Sequence, residues 1–270
     1  MIDEFRRYFK GAYTVWYRDV LGLVHDRTRL FASLIPNVIL LVGLGFGFGS
    51  ALGKIGGGTG VPGVPYIKFL FPMLLCATPV MSGLQSTMSI VFDREFGFMR
   101  KILIAPVSRT SVALGKVAGG ITLALMQSVL YLVVAPFIGI RLTVTTTLLA
   151  LVVLVLVAAA ATAIGILVAA RQRSMQGFQM ISLLVMMPLM LLTFGSAMPP
   201  VGMGSVGATI GAIERINPVA YGIDAMRQIL LAGNLPANLT MHPPLVDILI
   251  LAGCIVVLVV PGVALFSKQD

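Results

Sequence analysis

The sequence predicts an all-α integral membrane protein with six transmembrane helices, and three observations carry that prediction. Of 270 residues, 58% are hydrophobic and 11% charged, whereas soluble domains run at about 45–50% apolar and roughly 25% charged. Mean hydropathy is +1.00, more apolar surface than a folded sphere of this size can hide from water. The charged residues are also gathered into a few segments, which leaves long stretches with none. Length alone would admit one or two soluble domains, but nothing remains to build one. The whole chain, residues 1–270, reads as a single transmembrane domain.

At the amino terminus, residues 1–29 are charged and aromatic and lack the compact apolar region of a secretion signal. Phe5, Phe9, Tyr13, Trp16, Tyr17, Val20 and Val24 recur at helical spacing, with Arg6, Arg7, Lys10 and Arg18 elsewhere on the wheel. We expect a helix lying in the cytoplasmic interface, rings at headgroup level and basic groups toward phosphate. An exposed soluble tail is the plainer reading, but six aromatics within thirteen residues argue against it.

A helix rises about 1.5 Å per residue, so roughly 20 apolar residues cross a hydrocarbon core of about 30 Å. Five stretches free of Asp, Glu, Lys and Arg meet that length: Leu30–Gly53, Phe69–Phe92, Val117–Ile140, Leu142–Ala170 and Ile248–Ser267. A sixth, Ser174–Ile213, is too long for one helix. Its first half, to Gly195, is dense in Leu, Met and Ile, while its second half holds Pro199, Pro200 and several glycines. Gly45, Gly49 and Gly53 recur every four residues in the first span, a spacing that permits close helix approach.

Orientation follows from the basic residues. With the amino terminus inside, the inner segments 1–29, 93–116, 171–173 and 268–270 carry fourteen Lys and Arg, and the outer segments carry five. Both termini are therefore expected in the cytoplasm. The net charge of +9 then reads as contact with anionic lipid headgroups, not nucleic acid.

Two further segments depart from a plain span-and-loop pattern. The inner loop from Asp93 to Lys116 alternates charge with Phe96, Phe98, Met99, Ile102 and Leu103, then stops at Ala105-Pro106. Such exposed apolar knobs need a docking surface, either a partner or the lipid headgroups. The outer segment, residues 196–247, is long for a loop and too apolar to be solvated. Asn217 can cap a helix opened by Pro218, which places Asp224 and Arg227 on one face. A charge at mid-membrane costs at least about 2.5–3.5 kcal/mol, so we expect a re-entrant helical hairpin there.

Several chemistries have no residues to carry them. No HExxH, CxxC, GxSxG or Walker A sequence occurs, and no carboxylate falls within a predicted span. His25 and His242 lie on opposite sides and cannot share a metal. Cys76 and Cys254 sit in apolar runs and read as small buried hydrophobes. No catalytic residue, metal or cofactor is expected in this chain, which must conduct passively or borrow energy. Seven methionines between Met175 and Met203 make the fifth span adaptable, as ordinary filling or as a cavity wall.

At the inner loop, Asp93-Arg94-Glu95, Gly97, Ala105-Pro106-Val107-Ser108-Arg109 and Gly115-Lys116 resemble the cytoplasmic loop of ABC transporter type-2 permeases. There the pattern reads DRE-x-G, SPV-x-R, then GK; Ala105 stands in for the usual Ser. Asn217-Pro218, Tyr221, Asp224 and Arg227 resemble the family's NP-x-x-Y-x-x-D-x-x-R segment before the last span. With the span count and termini, the resemblance covers essentially the whole chain.

The resemblance implies the transmembrane subunit of an ABC exporter of the drug-resistance or lipo-oligosaccharide type, in a cell inner membrane. Its partners would be separate ABC ATPase subunits, which hold the ATP and Mg, and a second permease chain, identical or sister. It implies a coupling role for residues 93–110, the helix between spans two and three. Arg94, Glu95, Gly97, Phe98, Met99, Arg100, Ile102 and Leu103 are the candidates to meet the ATPase. Asn217, Pro218, Tyr221, Asp224 and Arg227 would form an outer gate. The first, second and fifth spans would line the pathway, with Pro79, Met186, Met187 and Met190 as wall candidates. Aliphatic, Met-rich spans with few aromatics favour an amphipathic drug or lipid-like cargo and multidrug efflux. A polysaccharide or lipo-oligosaccharide cargo is the alternative, and a non-transporting membrane scaffold another.

Overall fold

The computed structural model describes residues 2–25, 34–54, 64–96, 109–172, 174–195, 217–231 and 240–267, and all regular structure among them is helical. In chain order the helices are α1 (Ile2–His25), α2 (Leu34–Lys54), α3 (Tyr66–Ser86), α4 (Met88–Glu95) and α5 (Arg109–Leu132). A 3-10 turn (Ala135–Ile138) follows, then α6 (Val144–Arg171), α7 (Met175–Gly195), α8 (Pro218–Leu230) and α9 (Pro244–Ser267). Each of the six apolar stretches of the sequence contains a described helix.

Among the described residues, three stretches are long and apolar enough to cross a membrane: Tyr66–Phe92, Leu114–Ile138 and Val144–Arg171. The 28 residues of α6 extend roughly 40 Å at about 1.5 Å per residue. Shorter apolar helices run over Leu34–Ser50, Met175–Leu191 and Pro244–Val259. This is a multi-pass membrane architecture.

The core is built around α3, which packs against α2, α5, α6 and α8. Phe69 through Val80 are buried without interruption, because neighbours cover every face of the helix. The Phe71 and Tyr131 rings lie 5.3 Å apart between α3 and α5. Beside them, Asn37 donates to Thr78 Oγ1 at 3.0 Å, and the Tyr131 hydroxyl reaches the Asn37 carbonyl at 3.4 Å. These links tie α2, α3 and α5 together. Such bonds contribute only about 0.6 kcal/mol each on average within membranes, so close packing must supply most of the cohesion.

Small residues make that packing possible. A Cβ placed on Gly83 of α3 would lie 3.0 Å from Ala161 Cβ of α6, and one on Gly165 would lie 2.6 Å from Thr87 Oγ1. Hydroxyls along this seam are satisfied one turn back on their own helices, as with Thr78 to Leu74 at 3.1 Å and Thr162 to Ala158 at 2.7 Å. The expected close approach of the first span is also present. A Cβ on Gly45 would meet Ile67 Cγ1 at 2.8 Å and one on Gly49 would touch Tyr66.

Helix ends follow local chemistry. Thr143 and Thr146 form a reciprocal capping box that opens α6, the Thr143 amide donating to Thr146 Oγ1 at 2.8 Å. Gly139 closes the 3-10 turn at φ 77°, a conformation that suits a residue without Cβ. Lys68 Nζ donates to its carbonyl at 2.9 Å.

The amino-terminal segment is helical, as its periodicity predicts, and it packs along α5. Trp16 turns inward and donates its indole N–H to Thr122 Oγ1 at 3.0 Å. A Cβ on Gly115 would lie 2.6 Å from the Ala12 carbonyl, so the two backbones nearly touch. Tyr13, Tyr17 and Leu21 stay exposed on the far side. The helix is thus docked protein on one face and aromatic surface on the other.

Candidate functional site

Two clusters lie at opposite ends of the bundle, and the sequence-predicted residues divide between them. The first begins where α3 gives way to α4. Thr87 ends α3 and its Oγ1 donates to the Leu84 carbonyl at 2.6 Å. The chain then re-enters a helix that ends at Glu95. Two charged neighbours at that end hold the tight connection between α6 and α7.

Arg94 Nη1 donates to the carbonyls of Ala169 at 3.3 Å, Ala170 at 3.3 Å and Gln172 at 2.8 Å. Those carbonyls sit at the carboxyl end of α6 and its cap, where intrahelical donors run out, and Ala169 also accepts the Gln172 amide at 3.2 Å. A guanidinium there also meets the negative end of the helix dipole. Glu95 Oε2 accepts the amide N–H of Met175 at 2.8 Å, the first residue of α7. The adjacent acid and base thus complement the two opposite helix ends of one turn. Phe92 and Phe96 lie beside them with ring centroids 4.5 Å apart, and both are exposed. Of the remaining coupling candidates, Gly97, Phe98, Met99, Arg100, Ile102 and Leu103 lie outside the described residues.

The second cluster is built on α8 and the lead-in to α9. Asn217 caps α8 through its side-chain oxygen, which accepts the Val219 amide at 2.9 Å, and Pro218 occupies the first helical position, as the sequence predicts. Its side-chain amide also reaches the Leu189 carbonyl of α7 at 3.3 Å. Asp224 is buried, and its Oδ2 accepts the amides of Met241 at 2.6 Å and His242 at 3.4 Å. Arg227, also buried, places its guanidinium carbon 4.3 Å above the Phe69 ring of α3, a cation–π contact. Tyr221 stacks on His242 with centroids 6.1 Å apart.

Two residues of this cluster were not anticipated. Gln228 Nε2 donates to the His242 carbonyl at 2.8 Å and to Asp224 Oδ2 at 3.3 Å, and lies 3.5 Å from Asp247 Oδ2. Asp247 is fully buried, and its Oδ1 lies 3.3 Å from His242 Nδ1. Gln228 stands one turn beyond Asp224, which was a readable signal. Asp247 opens the last apolar helix, where an acid reads simply as a dipole-complementing residue.

The wall candidates separate. Pro79 is buried inside α3, and Cys76 nearby is buried too, its Sγ 3.6 Å from the Gly222 carbonyl of α8. Met186 faces the core and is buried, Met187 is 72% exposed, and Met190 is half-buried. Met180, Leu183, Leu184, Met187 and Leu191 form an exposed stripe along α7. Among the described residues no group of His, Cys, Asp and Glu could hold a metal ion.

The family model described as ABC-2 type transporter matches residues 11–231. Among curated proteins, the chain is similar to three that carry the name transport permease ycf38. The protein of Cyanophora paradoxa is 33% identical over 78 residues, 28% of this chain and 27% of that protein. That of Porphyra purpurea is 33% identical over 75 residues, 27% of this chain and 26% of that protein. That of Pyropia yezoensis is 36% identical over 75 residues, with the same shares. The aligned region spans about a quarter of each relative's length.

Proposed function

The chain belongs to the ABC-2 type transporter family, and on that premise we propose that it is the permease subunit of an ATP-driven exporter. It moves an amphipathic drug or lipid-like substrate outward by alternating access. ATP hydrolysis takes place on separate ATPase subunits, and the pathway forms against a second permease chain. Six helices cross the inner membrane, α2, α3, α5, α6, α7 and α9, with both termini in the cytoplasm. α8 belongs to an outer re-entrant region.

The observation that carries this reading is the pair of contacts made by Arg94 and Glu95. The segment that would receive an ATPase begins right after them, and they grip the turn that launches α7. A push on that segment is thereby delivered to the Met-rich helix and, through Asn217 and Leu189, to the outer cluster. The exposed stripe of α7 supplies an apolar face for the opposing permease.

The test is co-purification. Tagged chain extracted in mild detergent should bring down a Walker A ATPase in near-equal amount. Replacing Phe98 and Ile102 together by Asp should abolish that association while membrane insertion is retained. Undiminished association of the double variant would sink the coupling assignment. Isolation of the chain alone, where a known transporter of this type keeps its ATPase, would sink the exporter reading.

A further inference from the structure

The cluster on α8 and the head of α9 holds two buried acids, and the more buried of them is short of donors. Asp224 Oδ2 accepts two backbone amides. Asp247 is 0% exposed, and among the described residues it faces the side chains of Gln228, His242 and Asp224. Gln228 Nε2 lies 3.5 Å from its Oδ2, but donates at shorter range to the His242 carbonyl at 2.8 Å and to Asp224 Oδ2 at 3.3 Å. A side-chain amide has two N–H groups, so these three acceptors outnumber them. On the other side, His242 Nδ1 lies 3.3 Å from Asp247 Oδ1, and both atoms are buried with no other partner.

The third neighbour, Asp224, comes within hydrogen-bonding reach of Asp247. Two carboxylates so placed have no donor between them and repel. One proton turns the same contact into a hydrogen bond, as in a carboxyl dyad that titrates as a unit. Arg227, whose guanidinium lies over the Phe69 ring, offsets at most one of the two negative charges, and an uncompensated buried charge is costly. The other titratable groups nearby are Tyr221, stacked on the His242 ring, and Tyr66 of α3, beside Arg227. α6, also packed on α9, has no titratable side chain before Arg171 at its far end. Tyr131 of α5 is turned to Phe71, and Cys254 lies about two turns further along α9.

We propose that Asp224 and Asp247 form a proton-binding site, in which one exchangeable proton is shared between their carboxyls and latches the head of α9 onto α8. The contacts of the pair join three pieces of chain: Asp224 on α8, the Met241 and His242 amides of the lead-in, and Asp247 on α9. His242, 39% exposed, is the member in contact with solvent, and the proton leaves to water past it. Its loss sets two carboxylates against each other and loosens the lead-in. A proton bound in the folded chain and absent from the unfolded one makes stability fall as pH rises. The latch therefore holds at low pH and slackens in base, whether or not the chain transports anything.

The test is infrared spectroscopy of the full chain in a detergent without ester groups, so that the protonated-carboxyl band comes from protein alone. At about pH 7 ordinary Asp and Glu are ionised, so the wild-type chain should show one such band, fading reversibly toward about pH 9. Asp247→Asn should lose the band. Asp19→Asn, which alters the acid 3.4 Å from the buried Lys116 Nζ, should keep it. A second reading uses the wild-type chain and stays decisive should Asp247→Asn fold poorly. Its unfolding constant in mixed micelles should rise by about tenfold per pH unit up to the pH at which the band fades, then level off, as one linked proton requires. Absence of the band at about pH 7, its survival in Asp247→Asn, or an unfolding constant that stays flat below the fading point would overturn the proposal.

Discussion

Arg94 Nη1 lies 2.8 Å from the Gln172 carbonyl, although seventy-eight residues separate the two along the chain. The residue after Arg94 is bound to the opposite helix of the same turn. Arg94→Ala removes a donor from three carbonyls at once. It should destabilise the chain by about 1–2 kcal/mol, the lower part of the range for bonds to charged groups because the site is partly solvated. Glu95→Ala should cost about 0.5–1 kcal/mol, like the loss of an N-cap, and Glu95→Gln should restore most of it. Unfolding in a mixed-micelle titration measures all three. Loss in Glu95→Gln as large as in Glu95→Ala would show that the Met175 contact does not matter.

At the other cluster the two acids should behave differently. Asp224 receives two backbone amides, so Asp224→Ala leaves buried donors without an acceptor and should cost about 2–3 kcal/mol. Asp247 shares Gln228 with Asp224, and like charges placed so close oppose each other. Asp247→Asn keeps the shape, removes one charge and should be neutral or mildly stabilising. The same titration decides. A larger loss for Asp247→Asn than for Asp224→Ala would reverse the assignment of roles.

The seam between α3 and α6 predicts a steric contrast. Gly165→Ala forces a methyl against Thr87 Oγ1 and should destabilise by about 1–3 kcal/mol through overpacking. Adding Thr87→Ala should recover part of that loss. Gly43 faces open space, so Gly43→Ala should be neutral or gain up to about 1 kcal/mol from helix propensity.

Trp16 is the sole tryptophan, so intrinsic fluorescence reports directly on how α1 sits against α5. Thr122→Val removes the acceptor of the indole N–H at 3.0 Å while keeping the volume. The emission should change in wavelength, with a stability loss of about 0.5–1.5 kcal/mol. An unchanged spectrum would mean that α1 is held without this bond.

The apolar helices were legible because hydrocarbon excludes charge over a length that few soluble segments reach. The cap at Asn217-Pro218 was legible because its chemistry is confined to neighbouring residues. The partners of Arg94 and Glu95 were hidden for a physical reason. They are backbone groups of Ala169, Gln172 and Met175, and any sequence supplies such groups. Burial of Lys116 was hidden likewise, since its position in the inner loop reads as an interfacial cation. Which face of α7 turns inward was also illegible, because Met186 and Met187 are chemically identical and only packing distinguishes them. Residues 196–216, the first part of the outer segment expected to be re-entrant, lie outside the described residues.

The contact between Trp16 and Thr122 spans 106 residues, and this separation sets a schedule for biosynthesis. A ribosome adding about 5–20 residues per second needs roughly five to twenty seconds to make that interval. Throughout it α1 exists without the helix it belongs to, while α2, α3 and α4 are made. Its aromatic face, the side that α5 never covers, is what can moor it to the bilayer surface in that time. Replacing the exposed Tyr13 and Tyr17 should therefore show its effect first in nascent chains, as α1 degraded before α5 arrives, and little in the finished molecule.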